Sequence, residues 1–238
     1  MSTVKPDDPA SRDAEHEALP AAVLWDMDGT LVDTEPYWMA AEHELIEEFG
    51  GTWTQELSLQ LVGNPLLVTA RFILDNSPVD LTEHQVVHRL QSRVIEQMGR
   101  ELLWRPGARE LLVACREAQV PCALVTMSWT DLASAVVDAA PADSFAVVVT
   151  GDRVTQGKPH PEPYERALVE LGVAAADCVA LEDSPTGVRS AVAAGVPTLA
   201  VPHVVPVPRI PGAVQVPTLA GLTPFDLLGV ARGLSPAP

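Results

Sequence analysis

The sequence predicts an α/β protein: a Rossmann-like, doubly wound parallel sheet with a helical block inserted after its first strand. Three observations predict it. A short apolar run, Ala21 to Trp25, ends abruptly in Asp26-Met27-Asp28-Gly29-Thr30. The stretch from Glu35 to about Leu103 shows helical spacing and no convincing strand. From Pro106-Gly107 onward, short apolar runs alternate with helical segments, the pattern of a parallel sheet covered on both faces.

The elements follow in order. Residues 1–20 are polar, acidic and proline-containing, and are expected to form a disordered tail. Ala21–Trp25 is the first strand. In the helical block, Trp38, Ala41, Leu45 and Phe49 recur at helical spacing, and Gly50-Gly51 stops that helix. A second helix spans 55–61 and a third 66–76, separated by Gly63-Asn64-Pro65. Thr82-Glu83-His84-Gln85 reads as a capping box that opens a fourth helix, with Val86, Leu90, Val94 and Met98 on one face. Beyond it, strands are expected at 120–126, 145–149, 178–181 and 197–201, with an edge strand at 213–216. Helices are expected at 108–118, 130–139, 162–171, from Ser184-Pro185 to Gly195, and at 224–230. The core is therefore assigned to 21–34 and 104–238, and the inserted helices to 35–103.

In such a sheet, ligands bind beyond the carboxyl ends of the strands, so the polar residues there belong together. Alternation along the first strand puts Asp26 and Asp28 on one side, and Gly29 lets the chain turn. Two carboxylates about 4 Å apart repel by about 4 kcal/mol at an effective dielectric near 20, so a cation or a shared proton must accompany them. Mg²⁺ favours oxygen ligands together with a substrate phosphate. A solvated turn is the alternative for an isolated Asp-x-Asp-Gly. An EF-hand loop fails, because Leu31 and Tyr37 fall where its Gly and Glu belong.

Three further strand ends carry related chemistry. Thr126-Met127-Ser128 precede a helix and could bind phosphate through hydroxyl and backbone N–H groups, or Ser128 could simply cap that helix. Lys158, held between Gly157 and Pro159, can bring an ammonium to phosphate and to Asp26; the alternative is a solvated surface lysine. Glu182-Asp183 end an apolar strand where burial is costly without a cation, and Asp183 or Ser184 can also cap the next helix.

The chain has 238 residues, with 15 Lys plus Arg against 32 Asp plus Glu, a formal charge of −17. That disfavours nucleic acid and anionic membranes as partners, and an anionic substrate must be met by a local cationic site. Three cysteines, Cys115, Cys122 and Cys178, sit in apolar contexts without metal-ligand spacing and read as reduced core residues of a cytoplasmic protein. Neither a signal peptide nor a membrane-spanning run is recognised. No long exposed apolar stripe stands out, so a monomer is expected.

Taken in this order and spacing, the four segments resemble the haloacid dehalogenase-like superfamily of phosphohydrolases. The resemblance covers about residues 21–201 and makes the helical block the family's cap. It implies that Asp26 is the nucleophile that becomes an aspartyl-phosphate, and that Asp28 is the general acid and base. It implies Mg²⁺ held by Asp26, by the backbone carbonyl of Asp28, and by Asp183, with Glu182 bound directly or through water. Thr126 matches the phosphate-binding hydroxyl and Lys158 the family lysine. Met127 replaces a small polar residue, which a backbone contact survives and a side-chain contact does not.

Asp28 argues for phosphoryl transfer, since the family's dehalogenases and phosphonatases lack that second carboxylate. Mutases of the β-phosphoglucomutase type carry a His where this chain has Trp38, and an Arg after the cap-loop glycine where this chain reads Asn64-Pro65-Leu66-Leu67. The expected function is hydrolysis of a small phosphomonoester such as a sugar phosphate. Tyr37, Trp38 and the loop 63–67 are expected to set specificity, and the six histidines receive no role. The alternatives are a mutase and a catalytically silent protein that binds a phosphorylated metabolite.

Overall fold

The computed structural model describes residues 18–62 and 64–235. Most of the expected tail, residues 1–17, lies outside them; at its end, Pro20 is already buried.

Six strands form one all-parallel sheet in the order β3-β2-β1-β4-β5-β6. They are β1 (Ala22–Trp25), β2 (Cys122–Val125), β3 (Val147–Val149), β4 (Cys178–Glu182), β5 (Thr198–Ala200) and β6 (Ala213–Gln215). β1 is central and wholly buried. Its side chains alternate between two cores. Val23 and Trp25 join one cluster with Leu111, Leu132 and Leu227; Ala22 and Leu24 join another with Tyr164, Ala167 and Ala191. Both faces are thus covered, which is why β1 reads as a continuous apolar run rather than an alternating one.

The first cluster packs beneath α5 (Ala108–Glu117), α6 (Thr130–Ala139) and α9 (Pro224–Ala231), and the second beneath α7 (Glu162–Leu171) and α8 (Pro185–Ala193). Between β1 and β2 the chain forms α1 (Glu35–Glu48), α2 (Gln55–Leu59), α3 (Leu66–Asn76) and α4 (Glu83–Met98). α4 packs on α1 and α3 and opens with the expected capping box: Thr82 Oγ1 accepts from Gln85 N–H, and Gln85 Oε1 accepts from Thr82 N–H. The two chain crossings between this block and the sheet are tied together. Val32 bridges Trp104, Asp33 N–H donates to Leu103 O (2.7 Å) and Arg105 N–H to Leu31 O (3.0 Å).

The differences from expectation lie at element ends. α2 stops at Leu59, two residues early, and β2 and β3 each begin two residues late, at Cys122 and Val147. Val120, Pro121, Phe145 and Ala146 before the two strands are apolar, so hydrophobicity alone overruns the strand. No helix among the described residues is long and apolar enough to cross a membrane.

Candidate active site

β1, β4 and the loop before α7 bring four charged side chains to the carboxyl edge of the sheet. Asp26 follows β1 directly, its N–H bonded to Leu181 O of β4 (3.0 Å). Lys158 reaches it from the loop Gly157-Lys158-Pro159: Nζ lies 2.6 Å from Asp26 Oδ1, 2.6 Å from Glu182 Oε1 and 2.8 Å from Val125 O. This lysine is not a solvated surface residue; its side chain is 5% exposed. Glu182 is wholly buried, and also accepts from Tyr164 Oη (2.8 Å) and Ser184 Oγ (3.3 Å).

Asp28 is held by three hydroxyls. Thr34 donates to Oδ1 (2.6 Å), while Ser128 (2.8 Å) and Thr126 (3.1 Å) donate to Oδ2. Ser128 is therefore not the cap of α6. That helix start is served instead by Asp152, which accepts from Thr130 N–H. Thr126 is buried and does not border the cavity, whereas its neighbours Met127 and Ser128 do. Met127 turns its sulfur toward the Lys158 loop, 3.2 Å from Lys158 N.

Two glycines make the packing of acids possible. A Cβ on Gly29, whose φ is +84°, would lie 2.1 Å from Asp183 Oδ2. One on Gly187 would lie 1.9 Å from Glu182 Oε1. Ser184 caps α8 by accepting from Gly187 N–H (3.0 Å), which fixes the helix start against that carboxylate.

Asp26, Glu182 and Asp183 each present a carboxylate oxygen within 4.8 Å of the others. The electrostatics fit a cation there. Burial, then the charge of Glu182, pushes Asp26 up to about 7 even with Lys158 opposing. Burial and the neighbouring carboxylates Asp26 and Glu182 push Asp183 well above the usual carboxylate range. Burial works against the Lys158 ammonium, but Asp26 and Glu182 outweigh it and hold its pKa above the ordinary value. Oxygen donors on a dry floor are the donor set a hard divalent ion takes. The Asp28 carboxylate is outside this cluster, engaged by its three hydroxyls.

Above these residues is a cavity of about 320 Å³, walled on one side by the sheet edge and on the other by the helical block. Trp38 borders it, as do Asn64, Pro65 and Leu66 of the expected loop. Tyr37 does not: it is buried, and its hydroxyl donates to Glu101 O (2.6 Å). Tyr37 and Trp38 are adjacent in α1, and the step of about 100° between them turns Tyr37 into the core. Four participants escaped the sequence reading. Glu35 and Glu42 of α1 border the cavity, His203 borders it with Nε2 3.0 Å from Asp33 Oδ1, and Tyr164 anchors Glu182. Only Glu42 left a signal, as an acid set into the apolar stripe of α1 between Trp38 and Leu45.

A doubly wound parallel sheet with a helical insertion after its first strand, and with acids and a lysine gathered at its carboxyl edge, defines a capped α/β enzyme. The family model described as haloacid dehalogenase-like hydrolase matches residues 23–201, and the chain belongs to that family, in its β-phosphoglucomutase-like group. It is 32% identical over 179 residues to the phosphorylated carbohydrates phosphatase of Thermotoga maritima, spanning 74% of this chain and 82% of that protein. It is 30% identical over 190 residues to hexitol phosphatase B of Escherichia coli, spanning 76% and 83%. Among solved structures, CbbY from Rhodobacter sphaeroides in complex with xylulose-(1,5)bisphosphate superposes with a TM-score of 0.79 at 29% identity, covering 88% of this chain and 99% of that one.

Proposed function

We propose that the protein is a Mg²⁺-dependent phosphatase that hydrolyses a small phosphomonoester, of the sugar-phosphate kind, through an aspartyl-phosphate on Asp26. The observation that carries this reading is the ion pair between Lys158 and Asp26 at the end of β1, with a second carboxylate, Asp28, two residues on. The relatives named for phosphatase activity on phosphorylated carbohydrates and hexitols support the substrate class.

Lys158 holds Asp26 Oδ1, which leaves Oδ2 as the oxygen that attacks phosphorus. As the Asp26–phosphorus bond forms and the ester oxygen departs, Asp28 gives that oxygen a proton. Asp28 then takes a proton from water as the water attacks phosphorus, freeing inorganic phosphate and restoring Asp26. Asp28 must let go at least one of Thr34, Thr126 and Ser128 to reach the leaving oxygen. Ser128 and Met127 border the cavity where the phosphoryl oxygens would lie, and Thr126 reaches them only by leaving Asp28. Asp26 and Asp183 would hold the Mg²⁺, with the Asp28 carbonyl, and with Glu182 supporting from behind since both its oxygens already have partners. When bound, Mg²⁺ neutralises the phosphoryl group so that an anion can attack an anion. The helices between 35 and 103 serve as the cap that excludes water and contacts the leaving group. The protein works in the cytoplasm as a monomer.

The test is release of inorganic phosphate from a panel of phosphorylated metabolites with Mg²⁺, with Asp26→Asn as the control. No release from any of them, p-nitrophenyl phosphate included, rejects the reading.

A further inference from the structure

Resting on the phosphatase reading, we propose that the cavity selects monophosphates whose leaving group is an uncharged polyol. Glu35 and Glu42 of α1 exclude a leaving group that carries a second phosphate or a carboxylate.

Glu35, Trp38 and Glu42 stand at i, i+3 and i+7, one face of α1, and all three border the cavity. The first and last are about 10 Å apart along the axis at 1.5 Å per residue, so they address different parts of the cavity. Glu42 is 3% exposed yet borders the cavity. Its Oε2 accepts from Ser58 Oγ (2.6 Å) and Trp53 Nε1 (3.3 Å), and Trp53 Nε1 also donates to Ser58 Oγ (3.0 Å). Two donors thus clamp one oxygen. Oε1 takes no hydrogen bond from any described residue. A buried carboxylate in the cavity wall with one oxygen left free by the described residues can accept from a donor on a ligand.

Among the described residues, these walls offer no unengaged lysine or arginine to a second anion. Lys158 is the only lysine or arginine among the described residues that border the cavity, and Asp26 and Glu182 already engage it. His203 is paired with Asp33. Hydroxyls suit the same walls. They can donate to Glu35 and Glu42, Thr69 and Asn64 add polar groups, and the half-buried Trp38 offers an apolar face to carbon. Burial pushes both glutamates up to about 7, so a hydroxyl can meet either an acceptor or a donor. An anion, by contrast, is met without repulsion only while the glutamates are protonated. Above pH about 7, where both glutamates are ionised, like charges facing each other in a closed site lower affinity by about a hundredfold or more.

The experiment compares kcat/KM, with Mg²⁺ and at about pH 8.5 where both glutamates are ionised, for sorbitol 6-phosphate, a hexose 1,6-bisphosphate and 3-phosphoglycerate. Sorbitol 6-phosphate should lead both others by about a hundredfold. Glu35→Gln and Glu42→Gln should each shrink that lead about tenfold, raising KM for the polyol phosphate and lowering it for the anionic competitors. Glu35 is only half-buried, so its variant reports even if Glu42→Gln folds poorly by circular dichroism. The proposal is overturned if either anionic compound comes within about threefold of sorbitol 6-phosphate, or if folded variants keep the parent's ratio. Should nothing be hydrolysed, the phosphatase reading fails separately. Calorimetry on Asp26→Asn then decides, tighter binding of the polyol phosphate supporting the proposal and tighter binding of the bisphosphate overturning it.

Discussion

The Lys158 ammonium and the Glu182 carboxylate meet at 2.6 Å, with the lysine side chain 5% exposed and the glutamate 0%. The same Nζ serves Asp26 Oδ1 and Val125 O, so all three of its protons have acceptors. Lys158→Met leaves two buried carboxylates without their cation. We expect a loss of about 3–5 kcal/mol in urea denaturation, and a fall in phosphate release of about 10²–10³-fold. Lys158→Arg should not restore activity, because a planar guanidinium cannot place three donors around one point.

Gly187 stands over Glu182 closely enough that a methyl group would fall 1.9–2.0 Å from its carboxylate atoms. Gly187→Ala must push the start of α8 away or twist Glu182 off Lys158. The expected cost is about 1–3 kcal/mol, accompanied by lower activity. Gly99 is the control: its φ is −64°, and a Cβ there meets nothing nearer than 3.5 Å. Gly99→Ala should leave the melting temperature unchanged or slightly raised. Equal losses in the two variants would show that close approach to Glu182 is not the cause.

What the sequence disclosed and what it hid divide along physical lines. Asp26, Lys158 and Asp183 were legible because each ends or follows an apolar strand, and a parallel sheet gathers such ends at one edge. The helical block was legible because its stripes are long; Ala41, Leu45, Leu90 and Val94 are all buried where the period puts them. Tyr37 was misplaced because aromatic character does not say which side of a helix faces the cavity. Glu42, His203 and Tyr164 were missed because their partners lie far along the chain: Ser58 is 16 residues from Glu42, Asp33 is 170 from His203, and Glu182 is 18 from Tyr164. Local spacing carries no trace of such pairs. The role of Thr126 was obscured differently, since its hydroxyl finds Asp28 across 98 residues.

Asp26, Glu182 and Asp183 repel one another across less than 4.8 Å, so a divalent cation should stabilise the fold as well as support turnover. Adding Mg²⁺ at constant ionic strength should raise the melting temperature, by about 2.7 kcal/mol of stability at a hundred times its Kd. Chelation should reverse the shift and abolish phosphate release. Asp183→Asn should blunt both responses. A melting curve indifferent to Mg²⁺ argues against a cation at these carboxylates.

Glu42 makes a pH prediction whose sign is fixed by its surroundings. Burial pushes its pKa from 4.5 up to about 7, against the hydrogen bonds from Ser58 and Trp53 that favour the ionised form. The folded protein therefore holds this proton more tightly than the unfolded chain does. The stabilising contribution is fully present below pH 4.5, declines as the pH rises, and is lost once it passes about 7. The shift of roughly 2.5 units corresponds to at most about 3 kcal/mol. Glu42→Gln has no proton to lose, so its stability relative to the parent should improve steadily between pH 4.5 and 7 and then level off. Urea denaturation of both proteins at pH 5 and pH 8 measures the difference. Any repacking penalty of the amide against Ser58 and Trp53 offsets both pH values equally and cancels in the comparison. A difference that stays flat, or that shrinks toward pH 8, contradicts a carboxyl held protonated by burial in the wall of the cavity.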